Sequence, residues 1–83
     1  MHYIYILQSQ KDQSFYIGSS ADPYARLTKH NNSKTGYTAT KKPWSIVYQE
    51  EYPTKTEALV RENFIKKQKS KIFIEKLING SDG

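Results

Sequence analysis

The sequence predicts an α+β fold, a small three-stranded antiparallel sheet flanked by helices, in the order β-β-α-β-α-α. Three observations carry this expectation. Two β-forming runs stand near the start, separated by a short polar stretch suited to a hairpin. Helix-start signals stand at Asp22-Pro23 and at Thr54 with Glu57 three residues on. A chain of 83 residues has room for one domain, expected over residues 1–79, and for one modest core.

The elements follow in order. His2 to Gln8 alternates aromatic and aliphatic residues and reads as a strand, with Tyr3, Tyr5 and Leu7 on one face. Ser9 to Gln13 reads as the hairpin loop, and Ser14 to Ser19 as a second strand with Tyr16 and Gly18 on one face. Asp22 as N-cap and Pro23 at the first helical position start a helix that runs to about Asn31. Lys34 to Pro43 reads as a polar, basic loop, and Trp44 to Tyr52 as a third strand. Thr54 caps a helix from Lys55 to about Lys69, and Ser70 a shorter one from Lys71 to Asn79. Gly80 to Gly83 reads as a loose tail. Trp44, Ile46, Leu59, Ile65 and Leu77 are expected in the core.

Composition narrows the function. There are no cysteines, so disulfides and thiolate zinc sites are excluded, and a reducing, cytoplasmic setting is the expectation. The longest apolar stretch, Tyr3 to Leu7, is far short of the ~20 residues that cross a bilayer. Thirteen Lys and Arg against eight Asp and Glu give a net charge of +5. The charge is uneven: Arg26 to Lys42 holds basic residues and no acid, and Lys66 to Lys76 opposes its lysines only with Glu75. Clustered basic charge is the footprint of a polyanion partner, although a solvated lysine-rich surface has the same composition.

Three sets of residues sit oddly for a plain surface. At 100° per residue Glu62 falls between Ala58 and Leu59 in angle, one turn before Ile65, on the apolar side of its helix. It is either a rim carboxylate, snorkelling outward or paired with Arg61 or Lys66, or a ligand for a hard cation such as Mg²⁺. Arg26 and His30 share a helix face at i, i+4. That face is either solvated and basic, or fit to contact a phosphate bidentately with a histidine beside it. Tyr3, Tyr5 and Tyr16 lie on two strands that should pair, either as packing or with two phenols facing one cleft. GxGxxG, GxxxxGK[ST] and HExxH patterns are absent.

Taken together, these residues resemble the GIY-YIG nucleases, in particular their small stand-alone members. Tyr3-Ile4-Tyr5 matches the first family tripeptide with Tyr in place of Gly, and Tyr16-Ile17-Gly18 matches the second. Arg26-Leu27 with His30 fits the family's helix pattern, Tyr37-Thr38 a loop pattern of small members, and Arg61-Glu62 the helix with the metal-binding Glu. The resemblance implies one divalent metal ion, Mg²⁺ or Mn²⁺, held by Glu62. It implies that Tyr16 activates the attacking water, Tyr5 orients water or phosphate, Arg26 stabilises phosphoryl charge, and His30 assists. Asn79 is a downstream candidate for the Asn that many catalytic relatives carry after the metal Glu.

The expected function is therefore a divalent-metal-dependent endonuclease on DNA, branched or damaged, in repair or recombination. Lys29, Lys34, Lys41, Lys42, Lys66 and Lys69 are the candidate DNA contacts. The chain is expected either to read DNA shape itself or to need a partner protein or a weak homodimer. The alternatives are a nucleic-acid-binding module of the same fold with little or no cleavage, and a protein-interaction domain that reuses the fold.

Overall fold

A computed structural model describes residues 1–80. Its elements are β1 (His2–Ser9), β2 (Phe15–Ser20), α1 (Pro23–Asn31), α2 (Tyr37–Thr40), β3 (Trp44–Tyr52), α3 (Lys55–Gln68) and α4 (Lys71–Asn79). The sheet has the order β2-β1-β3, and both pairings are antiparallel. The α+β class and the element order agree with the sequence reading. One element is additional: α2 is a single turn inside the expected Lys34–Pro43 loop. Four residues are too few to show a helical period, and no side chain caps this turn. The hairpin strands also reach further. β1 continues through Ser9, and β2 runs past Gly18 to Ser20. Of the expected tail, Gly80 caps α4 in the left-handed region, at φ 65°, and residues 81–83 lie outside the described residues.

The helices begin where their polar caps stand. Asp22 accepts the Ala25 N–H at 3.1 Å, Thr54 Oγ1 that of Glu57 at 3.2 Å, and Ser70 Oγ that of Phe73 at 3.2 Å. Each cap contributes about 1 kcal/mol.

β1 is the centre of the molecule, and its two faces feed two cores. Ile4 and Ile6 pack with Ala58 and Ile65 of α3 and Ile74 and Leu77 of α4. Tyr5 and Leu7 pack with Trp44, backed by Tyr16, Leu27 and Ile46. All four β1 side chains are at most 1% exposed. Burial of each aliphatic one contributes about 1.5–3 kcal/mol.

β3 serves both cores because it is bulged. Ile6 pairs with Tyr48 but Leu7 pairs with Ile46, so Val47 is the extra residue. Ile46 therefore packs on the Tyr5 side, and Tyr48 on the α3 side with Val47 and Tyr52. A regular strand would have put Ile46 and Tyr48 on one face. The expected core residues Trp44, Ile65 and Leu77 are buried. Leu59 is a correction: it is 38% exposed, because Ala58, two turns before Ile65, takes the position against the sheet.

On the α3 side, the bulge aligns Tyr48, Glu50 and Tyr52. Arg61 donates to both Glu50 oxygens, Nε to Oε1 at 3.0 Å and Nη2 to Oε2 at 3.1 Å. Tyr48 also donates to Glu50, as does Tyr52 at 2.5 Å. Burial works to raise the Glu50 carboxyl, but hydrogen bonds from Arg61, Tyr48 and Tyr52 outweigh it and hold the pKa below the ordinary 4.5. The stabilisation is complete above 4.5 and disappears as pH falls through the folded value. Glu50→Gln should cost about 1–3 kcal/mol at neutral pH. The gap in thermal unfolding temperature between the two proteins should narrow as the pH is lowered below 4.5; a gap that stays constant into acid would contradict this assignment.

Candidate active site

Strand pairing sets the first two groups. Tyr5 pairs across with Gly18, and Leu7 with Tyr16, so the two tyrosines lie diagonally on one face. The Tyr5 ring lies over Gly18. A Cβ at position 18 would stand 2.6 Å from Tyr5 Oη, 2.8 Å from Tyr5 Cζ and 3.3 Å from Tyr16 Cε1. Glycine is required there by space. Tyr3, on the same face, is occupied elsewhere: its hydroxyl donates to Glu51 at 3.1 Å.

α1 adds Arg26 and His30. Its far end is tied to β3 by Asn31, whose Oδ1 accepts the Trp44 N–H at 2.6 Å and whose Nδ2 donates to the Trp44 carbonyl at 3.1 Å. Trp44 Nε1 then donates to the Thr38 carbonyl at 2.9 Å, drawing α2 onto the same corner. Tyr16 is held between these groups. Its ring centre lies 4.8 Å from that of His30 and 6.2 Å from that of Trp44. Sequence reading gave Trp44 a core role only. Its part in positioning Tyr16 depends on a loop closure that has no sequence signal.

The electrostatics assign different states to the groups. Burial pushes the Tyr5 phenol above 10.0, partly countered by the nearby Arg26 guanidinium and reinforced by Tyr16 and Glu62. Tyr5 is thus a neutral hydrogen-bond donor at physiological pH. Burial pushes His30 below 6.5, and the charges of Arg26 and Lys29 push it the same way. His30 is therefore neutral at pH 7, and its Nε2 is a buried atom without a hydrogen-bond partner among the described residues. An unpaired buried nitrogen is costly in a merely structural role.

Glu62 comes from α3. Its side chain is 12% exposed, and the Lys66 ammonium lies 2.6 Å from Oε2. Of the two partners the sequence allowed, Lys66 is the one found, and Arg61 is committed to Glu50. Among the described residues no three His, Cys, Asp or Glu side chains cluster as a metal cage. One carboxylate fits Mg²⁺, which keeps most of its waters and takes few protein ligands. The ammonium on Glu62 marks a position where a cation is already favoured.

The structure thus brings Arg26, Tyr16 and Glu62 near the Tyr5 phenol, and His30 against the Tyr16 ring and near Arg26. Lys29 and Lys34 are exposed. Lys41 pairs with Asp12, Lys42 donates to the Ser33 carbonyl at 2.8 Å, and Lys69 is the left-handed cap of α3. Asn79 lines a separate cleft with Gln8, Phe15, Glu75 and Ile78, which contains none of the five.

Residues 1–77 match the model of the GIY-YIG catalytic domain, and the chain belongs to that nuclease family. Within it, the chain is similar to small proteins named UPF0213. One from Staphylococcus epidermidis is 48% identical over 66 residues, covering 78% of this chain and 79% of the relative. Another, from Staphylococcus haemolyticus, is 40% identical over 80 residues, covering 90% and 96%. The solution NMR structure of the UPF0213 protein from Bacillus halodurans superposes with a TM-score of 0.59 at 34% identity, covering 94% of this chain and 82% of that one.

Gly18→Ala should lower stability by about 1–3 kcal/mol through overpacking. Tyr5→Phe, which removes the atom nearest the new methyl, should restore part of it. Thermal unfolding of the single and double variants checks this; a Gly18→Ala protein as stable as the parent would show that the Tyr5 ring is free to move.

Proposed function

We propose that the chain is a divalent-metal-dependent endonuclease that hydrolyses DNA phosphodiester bonds in repair or recombination. The observation that carries this reading is the meeting of the neutral Tyr5 phenol with the Arg26 guanidinium, Tyr16 and the largely buried Glu62 carboxylate, with the neutral His30 imidazole packed on Tyr16. Phosphodiester hydrolysis needs an oriented water, a route for its proton, and positive charge beside the phosphorus.

Each group has a part. Tyr5, held protonated, donates a hydrogen bond that orients the water or a phosphate oxygen. Tyr16 receives the proton of the attacking water and relays it toward the imidazole packed on its ring. His30, kept neutral, has a free nitrogen with which to receive it. Arg26, exposed on α1, meets the charge that builds on the non-bridging oxygens. Glu62, paired with Lys66 in this structure, would hold the metal. A bound Mg²⁺ or Mn²⁺ would polarise the phosphate and stabilise the leaving oxygen. The bond from phosphorus to the 3′ oxygen breaks, leaving 5′-phosphate and 3′-hydroxyl ends.

The pairing of Glu62 with Lys66 also supports a second reading, a DNA-binding module whose carboxylate stays neutralised by its own lysine. A cleavage assay on labelled duplex, flap, branched and single-stranded DNA separates the two. Cleavage should require Mg²⁺ or Mn²⁺, stop with EDTA, and fall by about 10²–10³ or more in Glu62→Ala and Arg26→Ala. Binding without cleavage would select the module, and cleavage that survives both substitutions would remove the site assignment. A second outcome concerns pH. Because His30 must be neutral, the rate should fall as pH drops below 6.5 through the depressed His30 value, and stay level above it. In His30→Gln that acidic limb should vanish from the residual rate.

A further inference from the structure

A groove of about 460 Å³ lies along the edge strand β2, beside the five residues and separate from them. Its floor is apolar, made by Phe15 and Ile17 of β2, Ile65 of α3 and Ile74 of α4. Its rim is basic: Lys66, Lys69 and Lys71 stand at the junction of α3 and α4. The one acid on the rim, Asp12, is already neutralised by Lys41. Tyr37 of α2, 54% exposed, forms the remaining wall with an aromatic face. A hydrocarbon floor, an exposed phenol and three ammonium groups in one depression do not suit a solvated surface.

The groove is joined to the candidate active site at three points. Lys66 lines it and pairs with Glu62. Ile17 lines it and is the chain neighbour of Tyr16 on the opposite face of β2. Tyr37 lines it and packs 6.2 Å from Trp44, which in turn packs on Tyr16.

We infer that this groove holds an unpaired nucleotide of the DNA strand next to the scissile phosphate. The inference rests on the nuclease reading and names its substrate class: DNA with single-stranded character at the cut. The chemistry selects this occupant. An intact duplex offers such a surface only its charged backbone, with its bases stacked away, and would leave the floor empty. An unstacked base gives the floor and Tyr37 a flat π-face, and its flanking phosphates meet the lysines. Lys71 thereby enters the DNA-contacting set, from within the basic run Lys66 to Lys76 that the sequence already showed.

The test is a titration of isotopically labelled protein with a short single strand of thymidylates, in EDTA, followed by amide chemical shifts. A hairpin duplex is titrated in parallel. The strand should shift the amides of Ile17, Lys66, Ser70 and Lys71 and bind more tightly than the duplex. Lys69→Gln with Lys71→Gln removes charge, and Ser14→Tyr fills the groove without altering charge. Each should weaken strand binding by about tenfold, the scale of one lost stacking contact. The amide spectra of the variants report whether they fold. Glu62→Ala should retain the groove shifts. Shifts confined to the Arg26 face, or a Ser14→Tyr protein that folds and binds the strand as well as the parent, would overturn the inference. Groove shifts in a protein that cleaves no DNA would leave the groove standing and remove the nuclease reading. Cleavage without groove shifts would do the reverse.

Discussion

Everything in this molecule depends on β1 being paired on both edges and covered on both faces. A strand in that position has no solvent side on which to place a polar group. Ile4 and Ile6 meet this requirement simply, against α3 and α4. Tyr5 does not, because its phenol is carried into a nearly closed space. The structure accommodates it by removing the side chain opposite, at Gly18, so that the ring can lie across the neighbouring strand. The hydroxyl then emerges among Arg26, Tyr16 and Glu62. A demand of packing and a chemical arrangement are met by the same pair of residues.

The two faces of the sheet divide the labour. The Tyr5 face carries Tyr5 and Tyr16, the α1 pair and the Trp44 corner. The other face carries the larger aliphatic core and the Glu50 cluster, in which one carboxylate satisfies Arg61, Tyr48 and Tyr52. The bulge at Val47 makes this division possible, since it turns β3 over part-way along its length. α3 belongs to both sides. Arg61 is anchored in the structural cluster, and Glu62, its neighbour, pairs with Lys66 and lies near enough to act on the Tyr5 phenol.

Much of this was legible in the sequence, for physical reasons that differ by element. The helix starts were legible because Asp22, Thr54 and Ser70 act locally, on amides three residues away. The strands were legible because β1 and β2 are dense in β-forming residues. Glu62 stood out because a carboxylate on an apolar helix side is costly, and the structure gives it Lys66. Leu59 misled because its neighbour is a small Ala58, and the smaller residue takes the closer approach to the sheet. The bulge, the α2 turn and the Asn31–Trp44 clip were not legible. Each depends on contacts between residues well apart in the chain or on a backbone irregularity that no residue type announces. The hairpin anchor was hidden for the same reason. Ser9 read as the first residue of a loop, yet its fully buried hydroxyl donates to the Lys41 carbonyl at 2.5 Å and accepts the Lys11 and Asp12 N–H groups.

The adjacency of Arg61 and Glu62 has a consequence for how such a chain can change its length. Arg61 is indexed to β3 by two hydrogen bonds, which fixes the angular setting of α3 about its own axis. One residue gained or lost between Thr54 and Arg61 would turn the helix start by about 100° against that index, and one beyond Glu62 would do the same to Ile65. Only a change of about a full turn would leave both ends in phase. The stretch between α1 and β3 has no helical phase to keep, and its ties to Trp44 and Ser9, at Thr38 and Lys41, lie in its second half. Length variation among chains of this design should therefore collect there, while α3 keeps its count.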